Sequence, residues 1–139
     1  MIWRPIVSWG FREKVMIPQA VADELCVGGA PREVRAWMSA PPAWLEVVVV
    51  SDEDMAQVSD ELDLGERAAI ALAERLHADL LLIDETAGRA EARRRSLRVT
   101  GMLGVLRAGA EAGLVDVDDT TTFYVEEELL RKTFEKWMF

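Results

Sequence analysis

The 139-residue chain has very little of the chemistry that cysteine and histidine supply, since it contains one residue of each. Because Cys26 is the single cysteine of the sequence, an internal disulfide and a cysteine zinc cluster are excluded. We expect Cys26 to be a small buried hydrophobic residue. His77 has no visible partner for a catalytic triad or a zinc site, which predicts a structural role at a helix end. No serine lies in a nucleophile-elbow pattern, and no glycine-rich stretch has the lysine and spacing of a P-loop.

Long apolar runs and an excess of basic charge are also missing. No run approaches the roughly 18 residues that a membrane helix requires, so no membrane association is expected. The first residues, MIWRPIVSWGFREK, lack the continuous apolar segment of a signal peptide, which predicts a cytoplasmic location. The net charge of −9 argues against a surface that coats nucleic acid non-specifically. A nuclease whose acids gather in a metal site remains compatible with that charge.

The hydrophobic half of the sequence is organised as strands that alternate with helices. Such alternation predicts one α/β domain over residues 1–139, with a parallel sheet covered on both faces. The run WLEVVVV is typical of a strand buried on both faces. An acidic segment at 52–61 is expected to be a solvated helix or loop. The predicted strands are 15–17, 44–50, 80–83, 97–99 and 121–125, and the predicted helices are 18–26, 31–40, 65–78, 86–96, 101–112 and 126–138.

Several acids fall on the inward side of these elements. Glu66 lies in the first turn of a helix, on the face of Ala69 and Ala73, where it either caps the helix or enters a site. Asp84 and Glu85 directly follow the strand LLLI, at the strand end where ligands collect in open α/β sheets. The alternative is that these two acids only open the next helix.

Glu24 flanks the apolar stripe of the first helix, although a solvated surface glutamate would fit the same pattern. Carboxylates that converge repel one another, which raises their pKa values and destabilises the fold unless a cation lies among them. Oxygen ligands favour hard ions such as Mg²⁺ or Mn²⁺. Such ions activate water and offset charge on a phosphoryl group. The acids therefore suggest metal-assisted phosphoryl chemistry.

Three stretches of the sequence carry a family resemblance. LDLGERAAIALAERLHADLLLIDETAGR, preceded by VMIPQAVADEL and followed by LRVTGMLGVLRAGAEAGLV, resembles the PIN-like proteins related to the VapC ribonuclease toxins of toxin–antitoxin systems. The resemblance runs from about residue 15 to residue 115. It implies a three-layer α/β/α domain with a short central parallel sheet and an acidic pocket that binds Mg²⁺ or Mn²⁺. It also implies cleavage of RNA and a cognate antitoxin protein as partner.

The resemblance assigns roles by position. It implies catalytic and metal-binding roles for the acids in AVADEL, LGERAAI and LLIDE, without deciding which of the last pair touches the metal. It also places the turn RVTG at the border of the pocket. Six arginines within 89–107 form either a phosphate-contacting patch or a solvated helix face. The resulting candidates are Glu24, Glu66, Asp84 and Glu85 for the metal, and Arg89 and Thr100 for RNA.

The N-terminal segment, residues 1–14, departs from the family pattern. The family opens with an apolar strand that ends in an aspartate, whereas here residues 6–8 are followed by Trp9. The leading metal ligand is therefore missing, and an open strand position would leave a sheet edge unpaired. Homodimerisation or segment exchange would cover such an edge. The link at 115–120 is also shorter than the family's. Both departures favour an alternative, a catalytically inactive module that binds nucleic acid or an antitoxin.

Overall fold

A computed structural model describes residues 2–3, 15–43 and 45–111. The predicted strand remnant at 6–8, the link at 115–120, the strand at 121–125 and the helix at 126–138 lie outside these residues. The chain divides into two compact units, Met1–Met102 and Leu103–Phe139. The described part of the second unit is helical. One domain over residues 1–139 stays a prediction.

The described residues contain short strands and helices in the predicted alternation. The strands are β1 (Ile2–Trp3), β2 (Val15–Pro18), β3 (Leu45–Val48), β4 (Leu80–Leu82) and β5 (Val99–Thr100). The helices are α1 (Gln19–Cys26), α2 (Arg32–Ser39), α3 (Asp52–Met55), α4 (Leu64–Arg75), α5 (Thr86–Arg94) and α6 (Met102–Glu111). The α/β class and the short parallel sheet are confirmed.

The five described strands form one sheet in the order β3-β2-β1-β4-β5. β2 pairs parallel with β3, and β4 pairs parallel with β5. β1 lies between these two pairs and is antiparallel to both neighbours, with Ile2 opposite Met16 on one side and Leu81 on the other. The open strand position expected from the sequence is thus filled by the chain's own first residues. The antiparallel direction of β1 was not predicted.

Side chains of β2 and β3 alternate between two apolar clusters, which places one cluster on each face of the sheet. Ile17 and Leu45 belong to a cluster with Ala22 of α1 and Met38 of α2. Met16, between Val15 and Ile17, packs instead against the cluster built from α4, β4 and α5. Because successive strand residues point to opposite faces, the sheet is covered by helices on both sides.

Two sequence predictions about burial are corrected by the structure. The run WLEVVVV forms a strand at β3, in which Glu46 is exposed, and Val49 just beyond β3 is 72% exposed. Val47 and Val48 are half-buried and pack against the clusters on opposite faces of the sheet, so the run contacts both clusters but is only partly buried. Cys26 is exposed, because it is the last residue of α1 and precedes the exposed turn at Val27 and Gly28.

The helix α4 is the central packing element of the described fold. Its small side chains allow close approach to the sheet, and its buried residues include Ala68, Ala69, Ile70, Ala71, Leu72 and Ala73. The helix ends where His77 adopts a positive φ of 49°. The Ala78 amide then bonds to the Ala73 carbonyl at 2.9 Å, the hydrogen bond of a Schellman motif. The prediction of a structural His77 at a helix end agrees with this geometry.

Candidate metal centre

Three carboxylates from two helix starts converge beside α4. Asp63 is the N-cap residue of α4, Glu66 lies in its first turn, and Glu85 is the N-cap residue of α5. One oxygen atom from each of the three lies within 4.8 Å of the other two. Asp63 and Glu85 are exposed, whereas Glu66 is half-buried. We call these three residues the acidic triad.

Glu66 is the inner member of the acidic triad. Its Oε1 atom is buried and has no hydrogen-bond partner. Burial raises the pKa of Glu66 above its ordinary value, and the charges of Asp63 and Glu85 raise it further. A hydrogen bond with the backbone of Asp63 acts in the opposite direction. A carboxylate oxygen in this position lacks the donor that a buried acceptor normally has.

Glycines provide the space in which these carboxylates lie. A Cβ atom at Gly88 of α5 would be 2.5 Å from Glu66 Oε1 and 2.5 Å from Ile83 Cδ1. A Cβ atom at Gly65 would be 2.9 Å from Glu24 Oε1. All three distances are shorter than a normal carbon–oxygen or carbon–carbon contact. The side chains of Glu66 and Glu24 therefore occupy volume that any larger residue at these two positions would fill.

Glu24 approaches the acidic triad from α1. Its carboxylate contacts Gly65, between Asp63 and Glu66 in the chain, although the residue as a whole is exposed. Partial burial raises the pKa of Glu24, and the negative charge of Asp63 raises it further. The predicted site residues Glu24, Glu66 and Glu85 are thus brought to one region around the start of α4.

Asp84 is placed differently from its neighbour Glu85. Its Oδ1 atom accepts a hydrogen bond from the Met102 amide at 2.7 Å, and a Cβ atom at Gly101 would lie 2.7 Å from the same oxygen. Asp84 therefore ties the end of β4 to the turn that follows β5. Thr100, at the end of β5, is half-buried beside that turn. A metal-binding role of Asp84 and an RNA-binding role of Thr100 stay predictions.

The predicted arginine patch divides into paired and unpaired members. Arg94 and Arg95 both donate to the buried carboxylate of Glu91, and Arg95 also pairs with Glu74 at 2.8 Å. Arg95 thereby joins the end of α5 to α4, whereas Arg94 pairs within α5 and its side chain is 70% exposed. The Nε atom of Arg89 is buried and has no hydrogen-bond partner. Arg89 Nη1 would lie 3.6 Å from a Cβ atom at Gly101, on the side where Asp84 lies.

The acidic triad fits a divalent cation. All its donors are carboxylate oxygens, which hard ions prefer. The buried Oε1 of Glu66, which has no other partner, is the kind of atom that a metal ion would satisfy. The mutual repulsion that raises the pKa of Glu66 would become attraction to a shared cation. Glu66 and Glu85 would hold the ion, with Glu24 close to them.

Asp63 is the residue of this site that the sequence interpretation missed. Its Oδ1 atom accepts a hydrogen bond from the Glu66 amide at 2.7 Å. The signal was present in the sequence, because an aspartate followed three residues later by a glutamate before an apolar run marks a helix start. Recognising that cap would have placed the Asp63 carboxylate beside Glu66.

The fold and the acidic triad together define an α/β domain with carboxylates at the carboxyl end of its sheet, where phosphoryl chemistry is common. The family model described as a PIN domain matches residues 10–137 of this chain. The chain therefore belongs to the PIN domain family. This membership indicates a nuclease-type function in general, with interaction with nucleic acid. PIN domains generally depend on a divalent metal, and the acidic triad is a cluster that could hold such an ion.

Two further comparisons are negative. Neither the curated proteins nor the solved structures include a match to the chain. Among the residues that the structure describes, none of the helices combines the length and the apolar character needed to span a membrane.

Proposed function

We propose that the chain is a VapC-type endoribonuclease that hydrolyses RNA phosphodiesters with the help of Mg²⁺ or Mn²⁺. The observation that carries the proposal is the acidic triad, in which one carboxylate oxygen each of Asp63, Glu66 and Glu85 lies within 4.8 Å of the other two. The buried Oε1 atom of Glu66, which has no hydrogen-bond partner, is a second observation in its favour. The charges of Asp63 and Glu85 oppose ionisation of the half-buried Glu66, and a cation among the three carboxylates would offset this repulsion. Membership of the PIN domain family also supports a nuclease function.

The side chains have distinct tasks in this proposal. Glu66 and Glu85 hold the ion, and Glu24 adds negative charge on the side of α1. When bound, the ion activates water and offsets the charge on the phosphoryl group. In this proposal the half-buried Arg89 neutralises a phosphate, which is supported by the absence of a hydrogen-bond partner at its Nε atom. Asp84 and Thr100 shape the neighbouring turn through Met102 and Gly101.

The proposal extends to partners and location. A cognate antitoxin protein would bind the domain and block the acidic triad, as the VapC resemblance implies. We place the protein in the cytoplasm, where RNA substrates and such an antitoxin are found. A homodimer is a further prediction. The original reason for it, an open strand position, is removed by β1, which pairs with both β2 and β4.

A cleavage assay on fluorescently labelled RNA with added Mn²⁺ tests the proposal. Glu66→Gln is expected to reduce the cleavage rate on the order of 100-fold, since loss of a ligand weakens metal binding steeply. Glu33→Gln is the matched control, because Glu33 also lies in the first turn of a helix but is exposed on α2. Asp84→Ala in the same assay shows whether Asp84 contributes to RNA cleavage in addition to accepting the hydrogen bond from the Met102 amide.

An inactive binding module is the second candidate, and the two described residues of β1 favour it. β1 fills the central strand position with Ile2 and Trp3, neither of which is an acid. Wild-type protein that cleaves no RNA above background with Mn²⁺, while still binding RNA in a gel-shift assay, would support this candidate. Cleavage by the wild type that Glu66→Gln abolishes would exclude it.

A further inference from the structure

Asp63 carries a negative charge that its structural role does not require. As the N-cap residue of α4, it accepts a hydrogen bond from the Glu66 amide at 2.7 Å. Asparagine and serine cap helices about as well as aspartate and carry no charge. The aspartate instead adds a negative charge within 4.8 Å of the Glu66 and Glu85 carboxylates. The helix dipole favours a negative charge at this position, but the capping hydrogen bond itself does not distinguish aspartate from asparagine or serine.

The geometry allows Asp63 to cap α4 and bind a ligand at the same time. A carboxylate has about four acceptor positions, and the Glu66 amide uses one of them. A carboxylate oxygen of Asp63 also lies within 4.8 Å of carboxylate oxygens of Glu66 and Glu85. Asp63 also lies near Glu24, since its charge is one of the two causes that raise the pKa of Glu24. The negative charge of Asp63 raises the pKa of Glu24 and also that of Glu66, in both cases after the effect of burial.

We infer that Asp63 is a direct metal ligand, which supplies from the start of α4 the negative charge that β1 does not supply. The inference rests on the divalent ion of the proposed function and assigns that ion a ligand absent from the sequence interpretation. The helix cap then has a second purpose, because the hydrogen bond from the Glu66 amide fixes the orientation of the Asp63 carboxylate toward Glu66 and Glu85.

The test measures Mn²⁺ binding to the full chain by calorimetry and by electron paramagnetic resonance of free Mn²⁺. Asp63→Asn keeps a capping oxygen and removes the charge, and Asp63→Ser does the same with a different cap. We expect both variants to bind Mn²⁺ at least about tenfold more weakly than the wild type. Their thermal midpoints in EDTA should equal or exceed that of the wild type, because a repulsive charge is gone and the cap remains.

Asp60→Asn is the matched control, since Asp60 is an exposed aspartate three residues before Asp63. It should bind Mn²⁺ within twofold of the wild type. The inference is overturned if Asp63→Asn also binds within twofold of the wild type, or if Asp60→Asn weakens binding as much as Asp63→Asn does. A merely structural Asp63 would give equal Mn²⁺ affinity with the cap preserved.

RNA cleavage, measured on the same samples, separates this inference from the proposed function. A wild type that binds Mn²⁺ through Asp63 but cleaves no RNA contradicts the nuclease proposal and leaves Asp63 as a ligand. A wild type that cleaves RNA and whose Asp63→Asn variant keeps full Mn²⁺ affinity contradicts only the role of Asp63. No Mn²⁺ binding by the wild type at millimolar concentration overturns both.

Discussion

Replacement of Gly88 by alanine perturbs the acidic triad without removing any of its charges. Inside a helix, alanine is favoured over glycine by up to about 1 kcal/mol, and Gly88 lies in the first turn of α5. Here the new methyl group would lie 2.5 Å from Glu66 Oε1 and 2.5 Å from Ile83 Cδ1. Overpacking of a buried position costs about 1 to 3 kcal/mol. The net effect expected for Gly88→Ala is a loss of about 0 to 2 kcal/mol in the free energy of unfolding.

The functional effect of Gly88→Ala should exceed the effect on stability. The end of the Glu66 side chain is the more mobile of the two contacted groups, because Ile83 is packed in the core. The carboxylate is therefore displaced, and Mn²⁺ affinity should fall at least about tenfold. Calorimetric titration with Mn²⁺ and urea unfolding in EDTA measure the two quantities separately. Gly28→Ala is the control, because nothing lies within 4 Å of a Cβ atom at Gly28.

A double-mutant cycle identifies the cause. In a Glu66→Ala background, the contact with Oε1 no longer exists, so Gly88→Ala should destabilise less than in the wild type. The contact with Ile83 Cδ1 remains in both backgrounds. Wild-type Mn²⁺ affinity in Gly88→Ala, or an equal loss of stability in both backgrounds, would refute the packing of Glu66 against Gly88.

Two further predictions concern charge. Burial and like charges raise the pKa of Glu66 in the folded protein above the ordinary value of 4.5. The folded protein therefore binds the Glu66 proton more tightly than the unfolded chain does, which adds to the free energy of unfolding below pH 4.5. This stabilisation is lost as the pH rises through the raised pKa. Glu66→Gln should therefore stabilise the protein in EDTA at pH 7, with a gain that shrinks toward pH 4.5, and urea unfolding that shows no such trend would contradict the shift. Arg95→Ala should lower the free energy of unfolding by about 2 to 3 kcal/mol, because buried Glu91 and partly buried Glu74 lose a shared partner. The exposed Arg93→Ala should change it by less than about 0.5 kcal/mol, and equal effects of the two substitutions would show that the Arg95 pairs add no stability.

Periodicity was sufficient to predict most of the described fold. The helical stripe of Ala69 and Ala73 and the apolar strand around Leu81 follow rules that act over a few residues, and both are observed. The incomplete burial of WLEVVVV was not predictable in this way, because the place of β3 at the end of the described strand order depends on which strand pairs beside Leu45. The pairing of Ile2 with Met16 and Leu81 is equally non-local, so the antiparallel β1 had no sequence signal.

The candidate site was only partly predictable for a related reason. The inward face of Glu66 follows from helix geometry, which the structure confirms through its buried Oε1 atom. Asp84 and Glu85 are neighbours, so periodicity could not decide which of the two carboxylates lies in the site. In the structure it is the Glu85 carboxylate that belongs to the acidic triad. Asp84 instead accepts the Met102 amide. Asp63 had a recognisable capping pattern, but its position beside Glu85 depends on how α4 packs against α5.

A crystal structure grown with Mn²⁺, with an anomalous difference map, tests the convergence of these carboxylates on one ion most directly. The structure predicts a peak about 2 Å from oxygen atoms of Asp63, Glu66 and Glu85, with Glu24 adjacent. A map without a peak among these three residues, or with peaks only at other acids, would contradict a shared metal centre.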